Sequence, residues 1–92
     1  MNNIMEELTL SRKAYNNTEM LVKSYLNEKN NLQRKEKEKV TDELAITING
    51  MSMLMSELDR KRTVSMLAEY GLIKTLTKSI QRINSNKTLA FS

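Results

Sequence analysis

Apolar side chains recur along the first third of the chain with alternating spacings of three and four residues. This spacing places them on one face of an α-helix, which turns once every 3.6 residues. It predicts a first helix over about residues 3–30. Ser11, Thr18 and Lys29 carry polar side chains where a tight coiled coil has leucine or isoleucine. The full series is Ile4, Leu8, Ser11, Tyr15, Thr18, Val22, Tyr25, Lys29 and Leu32.

The next segment is so rich in lysine and glutamate that none of it is expected to be buried. We interpret residues 31–41 as a charged connector, although a continuous solvated helix is equally compatible with residues that do not break helices. A second amphipathic helix is predicted over about residues 42–60, with Thr41 or Asp42 as its N-cap. Gly50 lies inside this helix, where we expect it to allow close approach of a neighbouring helix.

A third amphipathic helix is predicted over about residues 63–83, with Thr63 as its cap. Gly71 interrupts this segment and has two interpretations. It either ends a helix, with Leu72 as the apolar residue just beyond, or serves as a packing glycine. The remaining residues, 84–92, contain a turn-like Asn-Ser-Asn sequence and are predicted to form a tail.

The composition favours the same fold class. With no proline and two glycines the chain can make few tight turns, so a hairpin-rich β architecture is disfavoured. We predict an all-α fold in one domain, residues 1–92, in which an antiparallel helical hairpin packs with a third helix. A chain of this length buries only about 60% of its unfolded surface. Because only 4% of the residues are aromatic, we expect self-association or a partner to add to that burial.

The absent residue types exclude several kinds of chemistry. Without cysteine there is no disulfide or thiolate, and without histidine there is no Ser-His-Asp site. The carboxylates lack the spacing of a metal site in a helical bundle, and no glycine-rich phosphate loop is present. We therefore expect a non-enzyme with no cofactor and no metal. No apolar stretch approaches the ~20 residues of a membrane span, which predicts a cytoplasmic protein.

The charge is unevenly distributed along the chain. The formal net charge is +4, but residues 1–59 hold 8 basic and 10 acidic groups, whereas residues 60–92 hold 7 basic groups and one acidic group. Lys74, Lys78 and Arg82 recur every four residues, on one face of the third helix. Such a face is either simply solvated or able to contact an acidic protein, nucleic acid phosphates or anionic lipid.

Methionines concentrate in the second helix. Met51, Met53 and Met55 alternate, so one packed helix face cannot hold all three. Methionine fills cores and also adapts to irregular partners. We therefore expect part of this apolar surface to bind another chain. The predicted partner-binding residues are Met51, Met53, Met55, Arg60, Lys61, Arg62, Lys74, Lys78 and Arg82.

Two stretches of the sequence resemble a known family. Residues 1–8, Met-Asn-Asn-Ile-Met-Glu-Glu-Leu, are similar to the opening of the small bacterial anti-adaptors that stabilise the stationary-phase sigma factor. Residues 44–55 and 59–62 look like that family's central helix. The match covers about a quarter of the chain, and the family's acidic end is replaced by a basic one. The resemblance implies a helical protein that binds a response-regulator-type adaptor and blocks delivery of a substrate to a protease.

These observations favour a non-enzymatic protein-binding regulator, such as an inhibitor, an anti-adaptor or a small chaperone. The expected partner is another protein with an acidic surface, and a homodimer is compatible with the thin core. The alternatives are a DNA- or RNA-binding protein that uses the basic residues within 60–82, and a self-assembling structural helix protein.

Overall fold

The computed structural model describes the backbone of residues 4–91 and the side chains of residues 4–86. All of its regular elements are helical, and no strand occurs within the described backbone. The predicted all-α class is therefore confirmed. A short 3-10 turn, Lys29–Asn31, follows the first of four α-helices, which are α1 (Ile4–Glu28), α2 (Arg34–Ser52), α3 (Glu57–Glu69) and α4 (Ile73–Phe91).

Helices α1 and α2 form the predicted antiparallel hairpin. Near their connection the hydroxyls of Tyr25 and Thr41 lie 2.8 Å apart in a hydrogen bond. About two turns farther from the connection, the Thr18 hydroxyl donates to the sulfur of Met51 over 3.3 Å. Residues of α1 with lower numbers contact residues of α2 with higher numbers, so the two helices run in opposite directions.

The connector between these helices is shorter than the predicted 31–41. Residues 29–33 make the bend, and α2 begins at Arg34 with Gln33 at the N-cap position. The lysines and glutamates therefore form the first turns of α2, because both residue types favour helix and neither requires burial. Thr41 is not a cap. It is buried inside α2, where its hydroxyl donates to the carbonyl of Lys37 over 2.6 Å.

The predicted second helix is divided into two. Helix α2 ends at Ser52, and α3 begins at Glu57, after a turn at residues 53–56. The Ser56 hydroxyl caps α3 by accepting a hydrogen bond of 3.2 Å from the backbone N–H of Asp59. Thr63 is therefore not a cap either. It lies inside α3, buried, with its hydroxyl donating to the carbonyl of Asp59.

Gly71 ends α3, as one of the two sequence interpretations predicts. Its φ of +69° is left-handed, and its N–H donates to the carbonyl of Ala68 while that of Leu72 donates to Leu67. This pair of bonds is a Schellman motif. Leu72 and Leu67 also belong to the same buried cluster, which supplies the apolar contact that accompanies the motif.

Gly50 does not have the predicted packing role, because no described atom of a neighbouring helix lies within 4 Å of the place where its Cβ would stand. The two glycines should therefore respond to alanine with opposite signs. We expect Gly71→Ala to lower the free energy of unfolding by about 1–2 kcal/mol, since an L-residue is strained at positive φ. We expect Gly50→Ala to raise it by about 0.5–1 kcal/mol, since alanine has the better helix propensity. Urea denaturation followed by circular dichroism measures both, and equal signs would contradict this account.

The predicted tail at residues 84–92 is helical over the part that the structure describes. Helix α4 continues without interruption to Phe91, and Ser92 lies outside the described residues. Asparagine and serine are only moderate helix formers, but neither breaks a helix that is already formed, unlike proline.

The helices lie side by side in a body with extents of 47 × 37 × 17 Å. Helix α1 packs on α2 and α3, and α4 packs on α2, whereas α3 and α4 contact each other little. In such a thin body few large side chains are enclosed. The buried cluster at its centre consists of Val22, Tyr25, Leu44, Ala45, Ile48, Met66, Leu67, Leu72 and Leu76.

Candidate functional site

An apolar groove of about 460 Å³ opens between α3 and α4. Helix α2 forms its floor, because α2 packs on α4 while α3 is held against α1 on the other side. The Schellman turn at Gly71 redirects the chain between the two walls. We call this feature the α3–α4 groove, and its main apolar residues are Ile48, Val64, Leu67, Ile73, Leu76 and Ile80.

Two residues in the groove walls are more exposed than core side chains. Val64 on α3 is 58% exposed and Ile73 on α4 is 39% exposed, whereas Leu67 and Leu76 beside them are buried. The inner part of the groove is therefore continuous with the core, while its mouth presents branched apolar side chains to solvent. Exposed apolar surface in a concave site is typical of a binding surface.

Basic residues border the groove. Arg60 lines it, and its Nε donates to the carbonyl of Ser52 over 2.9 Å. Lys74 and Lys78 are exposed and lie three residues before Thr77 and Gln81, which line the wall. Residues three apart are neighbours on a helix, so both lysines lie along the outer edge of α4.

Lys61 and Arg62, also predicted to bind a partner, lie elsewhere on α3. Lys61 is exposed and pairs with Glu57 over 3.6 Å, one helical turn away. Arg62 lies near α1, where its Nη1 donates to a carboxylate oxygen of Asp59 over 3.1 Å. The basic triplet of residues 60–62 is therefore divided between the groove, the solvent and the α1–α3 contact.

Arg82 is engaged inside the chain, unlike the two lysines that precede it on α4. Its guanidinium forms an ion pair with Asp42 on α2, lies 3.6 Å from Glu38 and donates to the Ser79 hydroxyl. The hydrogen bond from Arg82 holds the pKa of Asp42 below its ordinary value, and the same bond raises the pKa of Arg82. Arg82 thus joins α4 to α2 within the chain, and its predicted role in binding a partner stays a prediction.

The three methionines of the second helix do not share one surface. Met55 is buried and its sulfur accepts a 3.2 Å hydrogen bond from Thr63, while Met51 is half-buried against Thr18. Met53 lies in the turn after α2 and is 73% exposed. Of the three, Met53 has the most exposed side chain for the predicted contact with another chain.

A buried polar cluster joins α1 to the start of α3, and the sequence gives no indication of it. Ser11 donates to Asp59 and accepts from the backbone N–H of Ser56, both over 2.6 Å. The hydrogen bond from Ser11 is the main cause that holds the pKa of Asp59 below its ordinary value, although burial acts to raise it. The positive charges of Arg12 and Arg62 also lower this pKa. The cluster is satisfied internally, which indicates a structural role.

Within the described residues, no group of three or more acidic, histidine or cysteine side chains is placed to hold a metal ion. No helix in that part of the chain is long and apolar enough to cross a membrane. Comparison with protein-family models, with curated protein sequences and with solved structures found no match. Among the described residues, the apolar groove and the basic residues beside it form the surface most suited to binding.

Proposed function

We propose that this protein is a non-enzymatic regulator that binds another protein by holding an acidic, amphipathic helix of that partner in the α3–α4 groove. The observation that carries this proposal is the combination of an apolar, partly exposed groove with lysines along its edge. The lysines are exposed on α4 next to residues that line the groove, and an amphipathic helix presents a matching apolar face and charged flank.

The apolar part of the groove supplies a place for the partner's large side chains. Its volume of about 460 Å³ falls within the range of pockets that enclose bound groups. Val64 and Ile73 border its mouth, so a leucine or isoleucine entering there covers them from water. Burial of this surface is the expected source of affinity.

The positive charge beside the groove favours a partner whose surface is negatively charged. Arg60 lines the groove, Lys74 and Lys78 are exposed on the neighbouring surface of α4, and none of the described residues that line the groove is acidic. A helix with carboxylates beside its apolar face meets these cations, while a basic helix is repelled. Because the border is exposed to solvent, it is expected to contribute more to specificity and association rate than to affinity.

A partner helix that is bound in the groove cannot make its other contacts. A small protein without catalytic groups can regulate a larger protein in this way. The anti-adaptor role implied by the family resemblance is one form of this function, with a cytoplasmic adaptor as the partner. The same groove also suits a small chaperone that covers an exposed helix.

A pair of fluorescent peptides tests the preference. We expect an 18-residue helical peptide with leucines on one face and glutamates on the other to bind, and its lysine-substituted version to bind at least tenfold more weakly. We expect Val64→Asp to raise the dissociation constant of the acidic peptide about tenfold, equivalent to about 1.4 kcal/mol of binding free energy. The double variant Lys74→Glu with Lys78→Glu should have an effect of the same size. Fluorescence anisotropy measures each dissociation constant.

Ile46→Asp is the matched control, because Ile46 is a β-branched residue on α2 with 54% exposure and does not line the groove. It should leave peptide binding unchanged. Extracts of the source cell then identify the natural partner as the protein retained by wild type and Ile46→Asp but not by Val64→Asp. The proposal fails if a 20-base-pair DNA binds with steep salt dependence, is lost in the double lysine variant and is unaffected by Val64→Asp.

A further inference from the structure

A second exposed apolar surface lies at the opposite side of α3 from the groove, where α1 begins and α2 turns into α3. Leu8 is shared between two adjoining hollows, one with Leu10, Met53 and Leu54 and the other with Met5 and Leu58. The six side chains therefore form one continuous area, which we call the end patch. Each of them is between 47% and 76% exposed.

The end patch continues the buried seam of α1 beyond the end of the bundle. Ser11 is 1% exposed where it contacts α3, but Leu8, one turn earlier on the same seam, is 50% exposed. The turn at residues 53–56 and the start of α3 cover Ser11 without covering Leu8. A helix seam of this kind is buried fully only when another element packs against its first turns.

We propose that a second copy of this chain covers the end patch, giving a twofold-symmetric dimer. Backbone included, the six residues expose on the order of 700 Å², comparable with the ~800 Å² that each partner contributes to a standard interface. The largest apolar patch on a typical monomer is smaller, about 300–600 Å². A twofold axis brings the same patch of both copies together, so one surface suffices.

The charges along α1 suit this symmetry. Glu6 and Glu7 precede the leucines of the patch, and Arg12 and Lys13 follow them. When two α1 helices cross in antiparallel directions near Thr9, Glu6 of each copy lies beside Lys13 of the other, while Arg12 stays 3.6 Å from Asp59 of its own chain. A parallel arrangement would place like charges together, which is unfavourable.

Mass measurement in solution tests the dimer. We expect light scattering after size exclusion at 200 µM to give twice the chain mass of 10.7 kDa. Met5→Glu with Met53→Glu should give a monomer, since it places carboxylates in the patch. Both side chains are largely exposed, so circular dichroism should show unchanged helix content. Met20→Glu is the matched control, because Met20 is 68% exposed on α1 outside the patch, and it should stay dimeric.

A charge swap tests the antiparallel arrangement. Glu6→Lys should raise the dissociation constant of the dimer about tenfold, and adding Lys13→Glu in the same chain should restore the wild-type dissociation constant. Wild-type protein that is monomeric at 200 µM would overturn the proposal, and so would a dimer that survives the double methionine variant. The dimer is independent of the groove, so Val64→Asp should leave it intact.

Discussion

Replacing Leu72 with alanine is expected to lower the free energy of unfolding by about 3–4 kcal/mol, the largest effect of a single truncation among the side chains that the structure describes. Leu72 is 2% exposed and belongs to the buried cluster shared by α1, α2, α3 and α4. Removing its side chain loses apolar burial and leaves a cavity in a thin core that has few neighbours able to fill it.

Leu72 also lies where two helices meet, which limits relaxation. Its N–H completes the Schellman motif of α3, and its carbonyl accepts from Leu76 in α4. Urea denaturation at low protein concentration, where a dimer is dissociated, measures the loss. Leu21→Ala is a suitable control because Leu21 is 38% exposed, and it should cost less than about 1 kcal/mol. Similar losses for the two variants would contradict the packing described for Leu72.

Replacing Asp59 with alanine is expected to cost about 2–3 kcal/mol, a value typical of hydrogen bonds between buried groups and a charge. The side chain accepts from Ser11 on α1 and from Arg62 on α3, and it lies 3.6 Å from the Nε of Arg12. Without it the buried Ser11 hydroxyl has lost its acceptor, and α1 is joined less firmly to α3. A double-mutant cycle with Ser11→Ala should give a coupling above about 0.5 kcal/mol.

The carboxylate of Asp59 should also make the free energy of unfolding depend on pH in the acidic range. The pKa of Asp59 is held low in the folded chain by Ser11 and the two arginines, so its contribution is fully present above the ordinary carboxyl pKa of about 3.9. As the pH falls below that value, the unfolded carboxyl binds a proton first, and the contribution is lost through the lower folded pKa. The free energy of unfolding of Asp59→Asn should therefore fall less steeply than that of wild type as the pH is lowered. Part of the pH dependence should remain, because the pKa of Asp42 is also held low. Identical slopes would rule out this role for Asp59.

The polar residues of the α1 seam show why packing could not be deduced in full from the spacing of side chains. Ser11 and Thr18 look like defects in a coiled coil, yet both are fully enclosed and hydrogen-bonded. Small hydroxyl side chains let α1 approach its neighbours closely, and their hydrogen bonds offset the cost of burying an oxygen. Lys29 ends the seam with its ammonium above the ring of Tyr25.

The candidate site was predictable only in part. Charge spacing indicated Lys74 and Lys78, which are exposed beside the groove, but it also indicated Arg82, which pairs with Asp42. The three residues share one spacing along α4, and a helical pattern does not reveal which of them faces another helix. Val64 and Ile73 fall within the amphipathic segment predicted over residues 63–83, and their position at the mouth of a groove follows from the separation of α3 and α4.

By itself, the sequence determined the helical class, the antiparallel first hairpin and the basic character of residues 60–92, and it offered a stop at Gly71 as one of two interpretations. Those features depend on propensity, periodicity and backbone freedom, which act within a few turns. Only the tertiary structure decided where α2 and α3 divide, what Ser11 and Arg82 contact, and which apolar surfaces stay open. The Ser11–Asp59 bond joins residues 48 positions apart. Its partner is selected by how whole helices pack, and no local pattern carries that information.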